Sequence, residues 1–312
     1  MRLLRRIVAW LPLRGWVQFV STLFANSYFL SGFKGFCYPV LNCWSCPTAS
    51  FACPIGALQN SAAAARLSLR AGAPLASVIP FYVLGTLVLF SALFGRLMCG
   101  WLCPFGWFQE LVGRRGKRLR IPGWTTYLRY VSLVVLVLVI PYYTGEAWFS
   151  KLCPMGALEG SIPQPLLQPD LRSQLGMMWY LKLAILAVTI AAAYVWRRPF
   201  CGAVCPLGAF FSLFVRYSAW QTRFDDRRCV DCQLCVRNCP QGIDPRRDVN
   251  SHACISCLEC TKCPYDAIKS QPIWRDLLAK EAGTARRSGI TCHEATEVCV
   301  GKPDCHTQDD SK

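Results

Sequence analysis

Charged residues are scarce in this 312-residue sequence, at 17%, whereas hydrophobic residues make up 53% of it and the mean hydropathy is +0.28. This composition argues against a wholly soluble fold, and the length allows two domains. Acidic residues are scarcer than basic ones, 18 against 34, which gives a net charge of +16. Nucleic-acid binding is one explanation of that charge, but the basic residues cluster beside apolar runs, which favours membrane orientation.

A cleavage site of small residues is missing after the stretch Met1-Arg-Leu-Leu-Arg-Arg6, which resembles the start of a signal peptide. We therefore expect an uncleaved membrane anchor. The sequence also lacks the features of a disulfide scaffold, because such scaffolds belong to short secreted chains. Most of its 20 cysteines instead lie in metal-ligand spacings. Thiols that hold iron–sulfur clusters need a reducing compartment or protected burial.

Four apolar segments are long enough to cross a bilayer, which takes about 20 helical residues. They are residues 15–33, 75–95, 124–143 and 177–196. Buried helices of a large soluble core are the alternative, but aromatic residues at the segment ends favour the membrane. The sequence therefore predicts an α-helical membrane domain over residues 1–220, with about four transmembrane helices.

Basic residues are concentrated before the first segment, between the second and third, and after the fourth. They are Arg2, Arg5, Arg6, Arg14, Arg96, Arg114, Arg115, Lys117, Arg118, Arg120, Arg197, Arg198, Arg216 and Arg223. Because cytoplasmic loops carry an excess of Lys and Arg, we expect both termini to be cytoplasmic in a multi-pass protein of the bacterial inner membrane.

The tetrapeptide Cys-Pro-x-Gly recurs at intervals of about 50 residues, starting at Cys53, Cys103, Cys153 and Cys205. Each interval contains one apolar segment, so the motifs are expected to alternate between the two membrane faces. The result is two similar halves, and parallel repeats of this kind usually pack around an axis along the membrane normal.

The repeated cysteines are candidate ligands of further clusters, because proline after each one suits the first position of a helix. A helix N-terminus favours a thiolate. The inner set is Cys99, Cys103, Cys201 and Cys205, and the outer set is Cys43, Cys46, Cys53 and Cys153, with Cys37 as a fifth candidate. Packing residues or outer-face disulfides are the alternative. Arg96, Lys151, Arg197 and Arg198 flank the motifs and either offset cluster charge or act as interfacial anchors.

Two dense cysteine runs follow the membrane part. The first fits C-x2-C-x2-C-x3-C-P, the bacterial two-cluster ferredoxin pattern, and the second has one residue fewer before its last cysteine. We predict an α+β domain over residues 224–272 that holds two [4Fe-4S] clusters, with structural zinc as the alternative. One cluster would take Cys229, Cys232, Cys235 and Cys263, and the other Cys239, Cys254, Cys257 and Cys260.

Residues 273–312 form a polar tail with Cys292, His293, Cys299, Cys305 and His306. This group could bind a metal, or its thiols could be incidental, since their spacing matches no zinc or haem motif.

The stretches Cys99-Gly-Trp-Leu-Cys103-Pro and Cys201-Gly-Ala-Val-Cys205-Pro resemble the C-x3-C-P motifs of the NapH/NosR membrane polyferredoxins. The resemblance covers roughly residues 10–270 and implies an electron-transfer subunit of an oxidoreductase system rather than a stand-alone enzyme. Its implied partners are the bilayer, a quinol or cytoplasmic donor, and a periplasmic reductase or flavoprotein, with no nucleic acid. No flavin-binding domain is visible, so the shorter NapH-like members are the nearer comparison.

Two functions are compatible with these features. The first is a transmembrane electron conduit from the ferredoxin domain through the inner cysteines to the outer ones. The second is a CcoG-like assembly factor that reduces copper for a metalloenzyme. Cysteines on both faces favour the conduit, because a cytoplasmic copper reductase needs no outer ligands. A regulatory metal sensor is a third alternative, although no effector or DNA-binding domain is visible.

Overall fold

A computed structural model describes residues 13–26, 33, 35–43, 49–113, 119 and 122–274 of the chain. Predictions on Cys46 and on the tail cysteines and histidines lie outside the described residues. The helices are α1 (Leu13–Ala25), α2 (Pro54–Arg70), α3 (Leu75–Val78), α4 (Phe81–Phe94), α5 (Leu97–Trp101), α6 (Pro104–Gly113), α7 (Gly123–Thr144), α8 (Trp148–Leu152), α9 (Pro154–Gly156), α10 (Pro163–Leu167), α11 (Met177–Val195), α12 (Pro199–Ala203), α13 (Pro206–Phe214) and α14 (Leu234–Asn238). A π-helical turn, Ala157–Ser161, continues α9, and 3-10 turns cover Pro169–Gln174, Asp226–Arg228 and Glu259–Lys262.

Two helices in the described part are long and apolar enough to cross a membrane: α7 with 22 residues and α11 with 19. Most of their side chains are not buried by the protein itself. A helix that is apolar and outward-facing along its length suits a lipid environment. These two helices agree with the predicted third and fourth segments.

The other two predicted segments are shorter as helices. The segment 75–95 is divided, because α3 ends before Pro80 and α4 runs for only 14 residues up to Gly95. Proline lacks the N–H that would continue the helix, and Gly95 ends it with φ of +59°. In the segment 15–33, α1 ends at Ala25, and residues 27–32 lie outside the described part. The count of four spans thus stays a prediction.

The Cys-Pro repeat marks four helix starts, as the sequence predicts. Pro54, Pro104, Pro154 and Pro206 are the first residues of α2, α6, α9 and α13. The preceding cysteine is extended where it caps α2, α9 and α13, so the chain turns into the helix at the proline. All four cysteine side chains are therefore held at helix N-termini.

These helix starts share one buried core. It contains Cys53, Cys99, Cys103, Cys153 and Cys205, packed with the apolar side chains of α2, α4, α6, α7 and α13. The sequence places the inner and outer cysteines on opposite faces, yet both sets contribute to this single core. Its other members include Leu41, Ile55, Leu87, Phe105, Val137, Met155, Leu207 and Phe211.

The C-terminal part is an α+β unit closed by a small antiparallel sheet. Strand β1 (Trp220–Phe224) pairs with β2 (Ile268–Pro272), so that the two ends of this stretch of chain meet. Both cysteine runs lie between the strands in sequence. Helix α14 contains the third cysteine of the first run, Cys235, and the turn Glu259–Lys262 contains that of the second, Cys260.

Candidate metal centres

The two cysteine runs have the same backbone conformation. In each run the residues before and after the second cysteine have positive φ, at 59° and 56° for Asp231 and Gln233 and at 49° and 61° for Ser256 and Leu258. Non-glycine residues rarely adopt this region, and such strain persists where the surrounding structure requires it. It turns the chain inward, and the N–H of Ser256 donates to Sγ of Cys254 at 3.4 Å. Each run therefore wraps its cysteines around an enclosed space.

The cysteines of the two runs border two separate cavities of similar size. The last cysteine of each run lies at the cavity bordered by the first three cysteines of the other run. The first cavity is bordered by Cys229, Cys232, Cys235 and Cys263, and the second by Cys239, Cys254, Cys257 and Cys260. The side chain of Cys260 also reaches the first cavity.

A tighter helix compensates for the shorter spacing between the third and last cysteines of the second run. Helix α14 leads into Cys239, whereas a 3-10 turn, Glu259–Lys262, leads into Cys263. Since a 3-10 helix rises about 2.0 Å per residue against 1.5 Å for an α-helix, fewer residues cover a similar distance. Both cysteines then have nearly the same extended backbone, with φ of −66° and −65°.

These cavities fit iron–sulfur clusters better than zinc. Zinc draws four ligand atoms to about 2.0–2.3 Å from one ion. In the described parts of the chain, however, no three His, Cys, Asp or Glu side chains are grouped closely enough to hold one metal ion. The cysteines surround an open space instead, as a cube of several atoms requires.

Burial makes these thiols poor acids on their own. It raises the pKa of Cys254 to about 11 and that of Cys257 to about 12. The thiolates that ligate iron would therefore not form at neutral pH without a cation beside them. Bound cluster iron would supply that positive charge.

The four inner cysteines lie together, as predicted. Each is less than 10% exposed, and the sulfur of Cys205 interacts electrostatically with those of Cys201, Cys99 and Cys103. Two neighbouring groups also reach these sulfurs. The side-chain amide of Gln109 donates to Sγ of Cys201 at 3.1 Å, and the N–H of Gly208 donates to Sγ of Cys205 at 3.4 Å.

Two buried arginines connect the inner motifs reciprocally. Arg198 donates to the carbonyl oxygen of Cys99 at 3.0 Å, and Arg96 donates to that of Cys201 at 3.4 Å. Each arginine precedes one motif and binds the other. Gly106 and Gly208 make room for them, because a Cβ at either position would lie 3.0 Å from a guanidinium nitrogen. Sequence reasoning noted the arginines but missed the exchange, which the shared pattern Arg-x-x-Cys-Gly could have indicated.

Three members of the outer set fall within the described residues. The sulfur of Cys153 interacts with those of Cys53 and Cys43, and Cys37 interacts with Cys53. A buried carboxylate adjoins them, because Oε2 of Glu159 accepts the N–H of Cys43 at 2.6 Å. The sequence interpretation did not single out Glu159 as part of this site.

Two adjacent residues connect the inner and outer sets. The backbone N–H of Leu41 interacts with the sulfur of Cys103, and that of Asn42 interacts with the sulfur of Cys53. Both interactions fall in the stretch 37–43, which contributes Leu41 to the shared core. Leu41 and Asn42 therefore lie beside one cysteine of each set.

The second cysteine run contacts the inner set at Gly100. A Cβ there would lie 2.6 Å from the carbonyl oxygen of Ile255 and 3.1 Å from Cα of Cys257, so glycine is required for this approach. Arg14 and Gln18 each donate to the carbonyl oxygen of Gly100 at 2.8 Å and fix its position.

We expect Gly100→Ala to push the C-terminal part away from the inner cysteines, since its methyl group would overlap backbone atoms. The rate of electron transfer between the two parts should fall several-fold, measured by rapid-mixing absorbance after chemical reduction. Gly85→Ala is the matched control, because it is also a helical glycine and no atom lies within 4 Å of its added Cβ. Equal rates in both variants would show that the contact at Gly100 is unimportant.

Comparison of the sequence with known proteins supports iron–sulfur binding by the cysteine motifs of the membrane part. A family model described as a 4Fe-4S binding domain matches residues 78–122, 126–161 and 178–222, which include all four inner cysteines and Cys153. An uncharacterised protein of Methanocaldococcus jannaschii is 32% identical over 194 residues, which cover 58% of this chain and 74% of the relative. The chain belongs to the NapH/NosR-like polyferredoxin family. Several relatives are ferredoxin-type electron-transport proteins, and the matched segments of this chain are 4Fe-4S binding domains.

Two named relatives show the breadth of this polyferredoxin family. The regulatory protein NosR of Stutzerimonas stutzeri is 28% identical over 204 residues, which cover 61% of this chain but only 27% of NosR. The methylamine utilization ferredoxin-type protein MauN of Methylobacillus flagellatus is 30% identical over 168 residues, which cover 51% of this chain and 54% of MauN. No solved structure matches the chain.

Proposed function

We propose that this polyferredoxin relays electrons across the membrane, between a cytoplasmic donor or the quinol pool and a periplasmic reductase or other acceptor. The observation that carries the proposal is the continuity of the cysteine sites. The second cavity reaches the inner set at Gly100, and the inner set reaches the outer set through Leu41 and Asn42. Such a series lets an electron move in short steps.

We assign one [4Fe-4S] cluster to each cavity of the domain at residues 224–272. The first would be held by Cys229, Cys232, Cys235 and Cys263, and the second by Cys239, Cys254, Cys257 and Cys260. The inner set would hold a third cluster, shared by the two arginine-linked motifs. The outer set would hold a further redox centre, for which the described part of the chain offers Cys43, Cys53 and Cys153.

Iron quantification and EPR redox titration of the anaerobically purified full chain test these assignments. Two clusters correspond to about eight iron atoms per chain, and a filled inner set raises that to about twelve. At least three separable reduction steps are expected. A measured content of only about eight iron atoms per chain, with two reduction steps, would mean that clusters are present only in the C-terminal domain. That result would contradict the proposed relay.

The proposed relay requires a defined orientation in the inner membrane. We place both termini and the domain at residues 224–272 in the cytoplasm, with the loops around Gly72 and Asp170 outside, because basic residues are concentrated before the first segment, between the second and third, and after the fourth. Reporter fusions after these two residues should show external activity. Cytoplasmic signals at both points would reverse the orientation.

A further inference from the structure

Two arginines converge on one carbonyl oxygen in the interior of the protein. Arg96 and Arg129 are 1% and 0% exposed, and they donate to the carbonyl oxygen of His252 at 2.7 and 3.0 Å. Arg129 belongs to α7, one of the two helices able to cross a membrane. An ionisable residue in such a helix is costly and usually functional.

Neither arginine forms an ion pair with a carboxylate within the described residues. By contrast, Glu110 approaches both Arg14 and Arg198. Three nitrogens of the Arg96–Arg129 pair have no hydrogen-bond partner there, namely Nε of both residues and Nη1 of Arg129. Buried cations are normally balanced by an anion. The pair therefore points to an anionic group that the amino acids themselves do not provide.

The inner cysteines adjoin the pair and would hold such an anionic group in the form of a cluster. Arg96 acts electrostatically on the sulfur of Cys99, and Arg129 interacts with that of Cys205. Arg96 also interacts with the sulfur of Cys254 in the second cavity. A cluster held by four thiolates carries net negative charge, which becomes more negative on reduction.

We infer that Arg96 and Arg129 form a charge-balancing site that raises the reduction potential of the inner cluster. The inference rests on the proposed function, since it requires a cluster on Cys99, Cys103, Cys201 and Cys205. Net charge, hydrogen bonding and exposure set iron–sulfur potentials. Two buried cations stabilise the reduced cluster more than the oxidised one, and so favour electron transfer onto the inner set from the neighbouring cavity.

The site also provides a bonded route for the electron. Arg96 connects the carbonyl oxygens of Cys201 and His252, and His252 lies two residues before Cys254. The ring of His252 holds this loop in place, because its Nδ1 is 2.8 Å from the carbonyl oxygen of Ser212. The arginine pair thus lies between the two centres that it is inferred to couple.

The test is a potentiometric EPR titration of full-length Arg96→Gln, Arg129→Gln and the corresponding lysine variants. We expect both glutamine variants to shift the inner-cluster midpoint to more negative potential and both lysine variants to stay near the wild type. Arg66→Gln is the control, because this arginine makes an exposed bond to the carbonyl oxygen of Tyr143, away from the pair. It should leave every midpoint unchanged.

The outcomes separate the inference from the proposed function. Iron content and the EPR signals of the C-terminal clusters report folding. If a glutamine variant loses the inner cluster, the lysine variant at the same position becomes the test. A lysine variant that keeps the inner cluster with a midpoint near that of the wild type supports the charge-balancing role. An unchanged midpoint in both glutamine variants, or equal shifts with glutamine and lysine, would overturn it. Absence of any inner cluster in the wild type would instead contradict the proposed function.

Discussion

Replacement of Cys99, Cys103, Cys201 or Cys205 by serine, one at a time, should remove about four iron atoms per chain. It should also abolish electron delivery to the outer acceptor while leaving the EPR signals of the C-terminal clusters intact. The reason is that these four buried sulfurs lie together, so loss of one ligand leaves three thiols that cannot complete the cluster.

Cys299→Ser is the thiol control for this series, because that tail residue belongs to none of the cysteine sets proposed to hold clusters. Its iron content and transfer rate should equal those of the wild type. Full iron content and full transfer in both Cys103→Ser and Cys205→Ser would make the inner cysteines packing residues and refute their role as ligands.

Glu110→Gln should destabilise the protein strongly. Oε1 of Glu110 is 2.6 Å from Nη2 of Arg14 and 2.8 Å from Nη2 of Arg198, and both arginine side chains are less than 10% exposed. Removing one partner from a buried ionic group costs about 3–5 kcal/mol, because it leaves a buried charge uncompensated. Thermal denaturation in detergent, followed by cluster absorbance, measures the loss.

Glu146→Gln is the matched control for that prediction, since Glu146 also contacts a basic residue, Lys151, at 2.6 Å. Their side chains are 51% and 40% exposed, and an exposed pair contributes only about 0–1 kcal/mol. Equal loss of stability in the two variants would contradict the importance of the buried Glu110 pair.

The same carboxylate should make stability depend on pH. Burial alone would raise the pKa of Glu110, but Arg198 and Arg14 outweigh burial and lower the pKa below its usual 4.5. A group whose pKa is lowered by folding stabilises the fold above its usual pKa and loses that contribution as the pH falls through the lowered value. In Glu110→Gln this part of the acid dependence should disappear.

The sequence alone predicts that the last cysteine of each run lies with the first three of the other, because cysteine spacing and the terminal Cys-Pro reflect how a short chain surrounds a cube. The sequence also shows that each Cys-Pro begins a helix, since proline has a local effect on the backbone. The helical break at Pro80 follows from the same chemistry, although hydropathy alone combined residues 75–95 into one span.

Contacts between distant parts of the chain could not be predicted from local sequence features. The exchange of Arg96 and Arg198 depends on how the segments around Cys99 and Cys201 pack, and the shared pattern Arg-x-x-Cys-Gly marks the two arginines without fixing which carbonyl oxygen each one binds. The carboxylate of Glu159 and the connection through Leu41 and Asn42 likewise depend on tertiary packing. Hydropathy separated the inner and outer cysteines by membrane face, and only the fold shows that they share a core.

Electron transfer across a sealed membrane tests the central claim most directly. The purified protein would be reconstituted in liposomes that enclose ferricyanide, and a membrane-impermeant reductant would be added outside. We predict that vesicles whose C-terminal domain faces outward reduce the enclosed ferricyanide, and that Cys103→Ser abolishes this reduction. Reduction of the C-terminal clusters with no reduction of the enclosed ferricyanide would contradict the transmembrane relay.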